Sequence, residues 1–475
     1  MSISETFSQH DALGLAELVR NGETTPSELV EEAIRRIEEL NPKLNAVSIK
    51  LYDLGREMVA GDLPSGPFTG VPFLLKDLVF LCTGVPLTNG TRYLKDFVAD
   101  TDSAMIARIK RAGLVLIGKT NVPENGYSAS TEPVLFGPTH NPWNDAVCAG
   151  GSSGGSASAV AGGIVPMADA SDGGGSIRIP ASNNGLVGLK PSRGRVTWGP
   201  QYTDLWYGAA VSLCVSRSVR DTAAFLDAVE GALPGEPYAL PSPEQAYLEQ
   251  LDVPLGRLRI GLVATMPDGS PLSADAAAAV ATAGRLCEQL GHHVEEATLR
   301  YVLPAPEIAR MTATISSGGF EAAEALVGRP VTEDDVEPIT WRVIELGRSL
   351  TAIQHANDIE ALRLFGRDMV EQLGDYDVTI TPTQPEPPPP LGTYDMSLDD
   401  LERYNEPLMH AMTFTMPFNL SGQPAVTVPL HWTADGLPLG SQLVGRIGDE
   451  ATILGLARQL EEASPWASRR PPRSI

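Results

Sequence analysis

The sequence is most informative at residues 150–178, which read GGSSGGSASAVAGGIVPMADASDGGGSIR. Two glycine-rich runs, 150–155 and 173–175, lie within this stretch. Glycine accepts positive φ angles and close backbone approach, so several N–H groups can converge on one point. Apolar residues such as Val160 and Ile177 are interleaved with the glycines, which predicts a buried, tightly turned segment rather than a flexible linker. Such a concavity suits a phosphate group or the oxyanion of an acyl-transfer intermediate.

The phosphate interpretation is weak, because the sequence has neither a Gly-x4-Gly-Lys-Ser/Thr motif nor a GxGxxG motif between a strand and a helix. For acyl transfer, Gly150-x-Ser152-x-Gly154 and Gly151-x-Ser153-x-Gly155 both match the nucleophile elbow of α/β-hydrolases. That motif follows an apolar strand, whereas residues 141–145 read NPWND and are typical of a turn. The elbow also needs a histidine, and no histidine of the chain stands in a context that singles it out.

A serine nucleophile without histidine needs another base, and residues 71–77 contain a candidate. They read VPFLLKD, a mostly apolar run with one cation, Lys76. Burial disfavours the charged form of lysine, so a desolvated lysine can accept a proton. Taken alone, Lys76 would be interpreted as an ordinary cation at a strand end. Together with Ser152 and Ser176, it is a candidate base.

The whole chain alternates helical and strand patterns, which predicts one large α/β domain over residues 1–475 rather than two domains. A proline-rich loop is expected over residues 384–392. Helices are predicted within residues 8–41, where Thr25 is a candidate start for a second helix, and over residues 103–112, 156–165, 273–290, 341–373 and 451–462. Strands are predicted over residues 46–49, 114–117, 259–263, 378–381, 425–430 and 440–444.

Composition narrows the class of partner. Lys and Arg total 35 against 59 Asp and Glu, a formal charge of −24, which argues against nucleic acid and against an anionic membrane surface. The first residues lack a basic segment followed by an apolar run, so we expect no signal peptide and a cytoplasmic protein. The four cysteines are far apart in the sequence, which favours reduced, buried thiols over disulfides or a zinc site.

The combination of Lys76, Ser152 and Ser176 with the glycine-rich runs resembles the amidase signature family. The resemblance runs from about residue 10 to the end and is densest at about residues 70–195. Within the family, the chain most resembles 6-aminohexanoate cyclic-dimer hydrolases, chiefly through residues 171–176, SDGGGS. Supporting pieces, in order, are residues 70–72 (GVP), 118–121 (GKTN), 141–143 (NPW), 188–191 (GLKP), 417–425 (PFNLSGQPA) and 436–438 (GLP).

The resemblance implies a fold and a set of roles. The fold is the amidase signature fold, a large, mixed, twisted β-sheet covered by helices on both faces. Ser176 would be the acyl-forming nucleophile, and Ser152, preceded by a cis peptide bond, would relay its proton to neutral Lys76. The backbone N–H groups of Gly173, Gly174, Gly175 and Ser176 would form the oxyanion hole, with Ser153, Asp172 and Arg178 as supporting residues.

The family resemblance also places residues around the substrate. Tyr127, Ser128 and Thr131 are expected near the acyl side. Residues 314–320 and the proline-rich loop are candidates for the entrance, and Trp206 and Tyr207 for a wall, although core packing is the simpler interpretation of these two. Three methionines are assigned to the core: Met409, Met412 and Met416. One departure concerns Gly173, where the wider family commonly has threonine or isoleucine in place of a glycine.

These observations predict a serine amidohydrolase that acts on a small-molecule amide without a cofactor or metal. Linear, cyclic and aryl amides are expected substrates, and esters and carbamates use the same chemistry. A homodimer is compatible with the resemblance. Two alternatives stay open: a glutamine-hydrolysing amidase subunit of a tRNA-dependent amidotransferase, and a non-catalytic scaffold of the same fold.

Overall fold

The computed structural model describes residues 2–475. Its strands form one eleven-stranded sheet in the order β1-β3-β2-β4-β6-β5-β10-β11-β9-β7-β8. The strands are β1 (Val47–Lys50), β2 (Pro72–Lys76), β3 (Val115–Thr120), β4 (Met167–Asp172), β5 (Val187–Lys190), β6 (Val211–Ser216), β7 (Arg259–Val263), β8 (His293–Ala297), β9 (Val378–Pro382), β10 (Ala425–Trp432) and β11 (Pro438–Val444).

Sixteen α-helices occur in the described part of the chain. They are α1 (Ile3–Gln9), α2 (Ala12–Arg20), α3 (Pro26–Leu44), α4 (Tyr52–Ala60), α5 (Ala104–Arg111), α6 (Gly154–Gly162), α7 (Arg178–Asn184), α8 (Val219–Val229), α9 (Tyr247–Gln250), α10 (Ala274–Gln289), α11 (Ala305–Val327), α12 (Pro338–Ser349), α13 (Ala352–Leu373), α14 (Leu401–Ala411), α15 (Met416–Ser421) and α16 (Glu450–Ala463).

The sheet is mixed, as predicted. Strand β2 runs parallel to β3 and β4, and β7 runs parallel to β8 and β9. The middle of the sheet is antiparallel, with β6 between β4 and β5, and β10 between β5 and β11. Every residue of β2 and β3 is buried, which explains their nearly continuous apolar sequence, because strands covered on both faces have no solvent side. Strands β1–β6 and β7–β11 form two adjacent blocks of this sheet, joined where β5 pairs with β10.

Local signals account for the helix starts. Helix α3 begins after Thr25, whose hydroxyl accepts the N–H of Glu28 while the Glu28 side chain accepts the N–H of Thr25. This capping box satisfies N–H groups that the first turn leaves unpaired. Pro26 occupies the first turn, where its missing N–H costs nothing.

Two predicted segments differ from the structure. The helix predicted over residues 341–373 is two helices, because Leu350 is extended and Thr351 caps a new helix with Gln354. Within residues 141–199, the sequence predicts only one continuous helix, at residues 156–165. The structure adds strands β4 and β5 and helix α7 in this segment. Tight turns at Gly163 and Gly185, both with positive φ, separate these short elements.

The described residues also bear on thiols, metals and membranes. All four cysteines are free and buried, as predicted. No group of three or more His, Cys, Asp or Glu side chains within residues 2–475 is arranged to hold a metal ion. None of the helices in that range has the length and apolar character needed to cross a bilayer.

Candidate active site

Three backbone segments bring the predicted residues together. Lys76 is the last residue of β2, Ser152 lies in the turn before α6, and Ser176 lies in the turn between β4 and α7. Strands β2 and β4 are neighbours in the sheet and parallel, so their carboxyl ends lie at the same edge. The glycine-rich turn that follows β4 therefore begins beside Lys76.

Lys76 is buried with its amino group among hydroxyls. Its Nζ lies 2.8 Å from the Oγ of Ser152, 2.9 Å from the Oγ of Ser171 and 3.3 Å from the carbonyl oxygen of Ser171. Burial lowers the pKa of Lys76 to about 7, against a smaller opposing effect of Asp169 and Asp172. A large fraction of this amine is therefore neutral near pH 7 and can accept a proton.

The turn that carries Ser152 is held from both sides. The peptide bond between Gly151 and Ser152 is cis. The Thr131 hydroxyl donates to the carbonyl of Gly150 at 2.9 Å and accepts the N–H of Gly154 at 3.2 Å. Thr131 thus braces the turn and is not among the cavity-lining residues in the described chain, which corrects its predicted place near the acyl group.

Ser153 joins this turn to β4 and to the Ser176 turn. Its hydroxyl donates to the carbonyl of Ser171 at 3.3 Å and accepts the N–H of Ser171 at the same distance. Its own N–H donates to the carbonyl of Ser176, also at 3.3 Å. These bonds link the backbones of the two serine-bearing turns.

The turn after β4 is organised by a buried ion pair. Arg178 donates from Nε to one oxygen of Asp172 and from a terminal nitrogen to the other, both at 2.9 Å. Burial favours protonation of Asp172, but the Arg178 guanidinium outweighs it and holds the pKa of that carboxyl below its usual range. The remaining guanidinium contacts are with the carbonyl of Thr415 and the side chains of Asn419 and Gln442.

The same carboxylate shapes the predicted oxyanion hole. Asp172 accepts the N–H of Gly175 at 2.7 Å and that of Ile177 at 3.1 Å. The Gly175 N–H therefore points to Asp172, which corrects its assignment as an oxyanion donor. Gly175 has a φ of 140°, a conformation that a side chain would strain. Gly173, Gly174 and Ser176 border the adjacent cavity.

The cavity beside these turns has a volume of about 150 Å³ and a mostly apolar lining. Lys76 lies behind it, while Ser152 and Ser176 lie on its wall. Tyr127 and Ser128 line it. Apolar side chains of α11, α12 and α14 also line it: Ile308, Ile339, Val343, Leu346, Leu401 and Leu408.

Comparison with known proteins identifies this arrangement. The amidase family model matches residues 28–454. The chain belongs to the amidase signature family.

The relatives align with this chain over nearly its whole length. The amidase is 39% identical over 477 residues to a 6-aminohexanoate-cyclic-dimer hydrolase of Paenarthrobacter ureafaciens, covering 97% of this chain and 96% of that protein. It is 33% identical over 484 residues to an acylamidase of Rhodococcus erythropolis, covering 98% and 97%. A solved structure of 6-aminohexanoate cyclic dimer hydrolase matches with a TM-score of 0.95 at 38% identity, covering 100% of this chain and 99% of that one. The amidase is a hydrolase of amide C–N bonds.

The nucleophile-elbow interpretation is wrong for this amidase. Residues 141–153 form turns and an isolated bridge between His140 and Cys148 rather than a strand. The Ser152 hydroxyl contacts a lysine, whereas an elbow serine needs a histidine. The two GxSxG matches arise from the density of glycine and serine in this segment.

The residues that line the cavity of the amidase differ from several predictions. Met409, Met412 and Met416 line the cavity, which corrects their assignment to the core alone. Residue Thr312 of α11 lines the cavity, whereas no residue of the predicted entrance segment 314–320 does so in the described chain. Trp206 lines the cavity, while the Tyr207 hydroxyl instead contacts His355 at 2.7 Å.

Sequence analysis missed the apolar faces of α12 and α14. Ile339, Val343 and Leu346 recur at helical spacing on α12, and Leu401, Leu408 and Met412 belong to α14 and its end. The same spacing marks any helix that packs on a core. The pattern contains no signal that separates a cavity wall from an ordinary buried face.

Proposed function

We propose that this amidase hydrolyses neutral carboxylic amides with Ser176 as nucleophile, Ser152 as proton relay and Lys76 as general base. The observation that carries the proposal is the buried Lys76 amine at 2.8 Å from Ser152, beside the cavity that Ser176 borders. The lowered pKa of Lys76 supports its role, because a base must be unprotonated at the working pH.

In the proposed reaction, Ser176 Oγ attacks the amide carbonyl carbon while its proton passes through Ser152 to Lys76. The carbonyl oxygen becomes an oxyanion, which backbone N–H groups of Gly173, Gly174 and Ser176 stabilise. Lys76 returns the proton through Ser152 to the nitrogen, the C–N bond breaks and the amine leaves. Water then attacks the acyl-enzyme by the same relay, which releases the carboxylic acid and regenerates Ser176.

The cavity favours an uncharged substrate. Among the described residues that line it, Asp172 alone carries a formal charge, and Arg178 neutralises it. An ionic group placed there would lose water without gaining a partner, which is costly. We therefore expect linear or cyclic aliphatic amides and aryl amides, consistent with the names of the cyclic-dimer hydrolase and acylamidase relatives. Esters and carbamates are expected as secondary substrates, because they present the same acyl carbon.

The same lining disfavours the glutamine-hydrolysing alternative. Free glutamine carries a carboxylate and an ammonium group, and recognition of both needs charged or strongly polar partners. The scaffold alternative requires a site without an activated serine. A non-catalytic scaffold would have an unreactive Ser176. A glutamine-hydrolysing subunit would cleave glutamine in preference to neutral acyl amides.

The test is covalent labelling with a sulfonyl fluoride, followed by intact-mass spectrometry. We expect one adduct on the wild type, none on Ser176→Ala, and labelling of Lys76→Ala at least about 100-fold slower. Ser397→Ala, which removes an exposed serine, serves as control and keeps the adduct. An adduct that persists in Ser176→Ala, or full turnover by that variant, would overturn the proposed nucleophile. Glutamine hydrolysis faster than hydrolysis of neutral acyl amides would favour the amidotransferase alternative.

A further inference from the structure

A second carboxyl group lies against Lys76 from inside the sheet. Asp169 is on β4, is 1% exposed, and accepts the backbone N–H of Lys76 with its Oδ2 at 3.1 Å. Asp169 and Ser171 are two residues apart on the same strand, so their side chains leave the same face. Ser171 is the residue whose hydroxyl contacts the Lys76 amine. The Asp169 carboxyl therefore lies on the face that Lys76 occupies.

The other carboxyl oxygen of Asp169 is unusual. Oδ1 is buried and has no hydrogen-bond partner among the described residues. A buried carboxylate oxygen is normally paired, because its desolvation is otherwise uncompensated. Asp172 illustrates the ordinary case, with both oxygens bonded to Arg178 and to backbone N–H groups. Because Oδ1 is unpaired, hydrogen bonding does not explain why a carboxyl group is buried at this position, and stability alone gives no reason for it.

The charged and titratable groups around Asp169 come from three strands. Lys76 faces it from β2, and Lys119 of β3, which is paired with Asp77, has a weaker electrostatic effect on it than Lys76. Cys214 of β6 is its register partner across the sheet. Helix α6 contributes the uncharged hydroxyl of Ser156, which donates to the backbone carbonyl of Asp169. Lys76 is thus the cation with the strongest effect on Asp169, and among the described residues it forms no ion pair with a carboxylate.

We propose that Asp169 is a positioning residue for Lys76 that sets the pH at which this lysine becomes the neutral base of the reaction. The inference rests on the proposed function, because it assigns a partner to the proposed base. Asp169 does not touch the cavity, so it acts through Lys76 alone.

The sign of the effect follows from charge. An ionised Asp169 stabilises the ammonium form of Lys76 and so opposes the effect of burial on the pKa of this lysine. Burial itself raises the pKa of Asp169 to about 6, so the carboxyl changes charge just below the range in which Lys76 does. Removing the carboxylate charge lowers the pH at which Lys76 becomes neutral. The acid limb of the pH profile, where kcat/KM falls because the base is protonated, then moves to lower pH as well.

The test is the pH profile of kcat/KM for Asp169→Asn. Asparagine retains an acceptor oxygen for the Lys76 N–H but has no charge. We expect the acid limb to move down by about 1 pH unit, because a neighbouring opposite charge shifts a pKa by at least that order. Asp169→Ser, which is also uncharged and can accept the same N–H, provides a second variant with the same expected direction should the asparagine variant fail to fold.

Asp221→Asn is the matched control. Asp221 is also fully buried, accepts two backbone N–H groups, and has a pKa raised by burial to about 7, yet it has no role at Lys76. Its replacement is expected to leave the acid limb in place. An unmoved acid limb in both Asp169 variants, or a loss of activity that is equal at every pH, would overturn the inference.

The sulfonyl fluoride experiment separates this failure from failure of the proposed function. If Ser176 is labelled and the acid limb of the Asp169 variants does not move, the role of Asp169 alone is rejected. If Ser176 is not the labelled residue, the proposed triad itself is rejected, and the role of Asp169 is rejected with it.

Discussion

The absence of a side chain at Gly173 is explained by its neighbour. A Cβ atom on Gly173 would lie 3.1 Å from Cε3 and 3.2 Å from Cζ3 of Trp206. Trp206 has a φ of 53° and lines the cavity beside the serine turn. The indole ring therefore occupies the space that the threonine common in the wider family would need. The sequence analysis noted the glycine but could not find its reason, because Trp206 is 33 residues later in the chain.

Gly173→Thr tests this packing. The added side chain must displace the Trp206 ring, and overpacking of this kind costs about 1–3 kcal/mol of stability. We expect a lower unfolding midpoint in urea and a reduced kcat, because the N–H of residue 173 moves with the turn. The double variant Gly173→Thr/Trp206→Ala frees the space and is expected to recover stability relative to Gly173→Thr/Tyr207→Ala. An unchanged midpoint in the single variant would contradict the steric explanation.

The start of helix α12 depends on a carboxyl group from a distant loop. Glu124 is buried, and one of its oxygens accepts the N–H of Glu337 at 2.6 Å and the hydroxyl of Thr340 at 3.1 Å. The residues that follow it, 125–128, line the cavity, as do Ile339 and Val343 of α12. Glu124 thus joins two walls of the cavity through the end of one helix.

This contact predicts a pH dependence of stability. Burial, with a smaller contribution from Glu337, raises the pKa of Glu124 to about 7, above its value in the unfolded chain. Between the unfolded pKa of 4.5 and about pH 7, the folded state holds a proton that the unfolded state has released, so stability falls as the pH rises through this range. Glu124→Gln mimics the protonated form. We expect its free energy of unfolding to match the wild type at pH 4 and to exceed it by roughly 2–4 kcal/mol at pH 8.

Denaturant unfolding at a series of pH values measures the difference between the two proteins. Other buried carboxyl groups such as Asp221 change both proteins alike and cancel in the comparison. Glu57→Gln, which replaces an exposed carboxyl group, is the control and should follow the wild type at each pH. Parallel curves for Glu124→Gln and the wild type would contradict the prediction.

Helices and strands can be predicted where a capping residue or a short apolar run marks them within a few residues. Helix α10 follows Ser273, which caps it, and β7 and β9 were predicted from short apolar runs. The break between α12 and α13 was missed because the apolar spacing continues across it, although Thr351 and Gln354 form a capping box. Helix α7, RIPASNN, contains residues with poor helix propensity. It forms through burial, which composition alone does not reveal.

At the scale of the molecule, the site could be predicted in part. The three triad residues stand in short motifs, so their identity is visible in the sequence. Their contacts and the cavity walls are not, since α11, α12 and α14 follow the serine turns by more than 120 residues. Apart from Asp172, the partners of the Arg178 side chain are more than 230 residues distant. Nothing in local pattern indicates such long-range pairs.

The continuous pairing from the first half of the chain into the second, through β5 and β10, predicts that the chain unfolds as one unit. Strands β5 and β6 of the first half pair with each other, and β5 also pairs with β10 of the second half. Separating the halves would expose the middle of the sheet. We expect a single calorimetric transition whose van't Hoff and calorimetric enthalpies agree, as for a single domain. Two resolved transitions, or limited proteolysis that yields a stable fragment folded on its own, would contradict this.

The long-range partners of Arg178 have a consequence for biosynthesis. A ribosome that has released the first 200 residues has delivered Lys76, Ser152 and Ser176, but not Thr415, Asn419 or Gln442. Until those three emerge, Arg178 lacks most of the groups that orient it, and the Asp172 turn lacks its support. The serine that we propose as nucleophile is therefore activated late, after most of the chain has been translated. Truncated products of interrupted translation would carry all the reactive residues and yet no acylating enzyme.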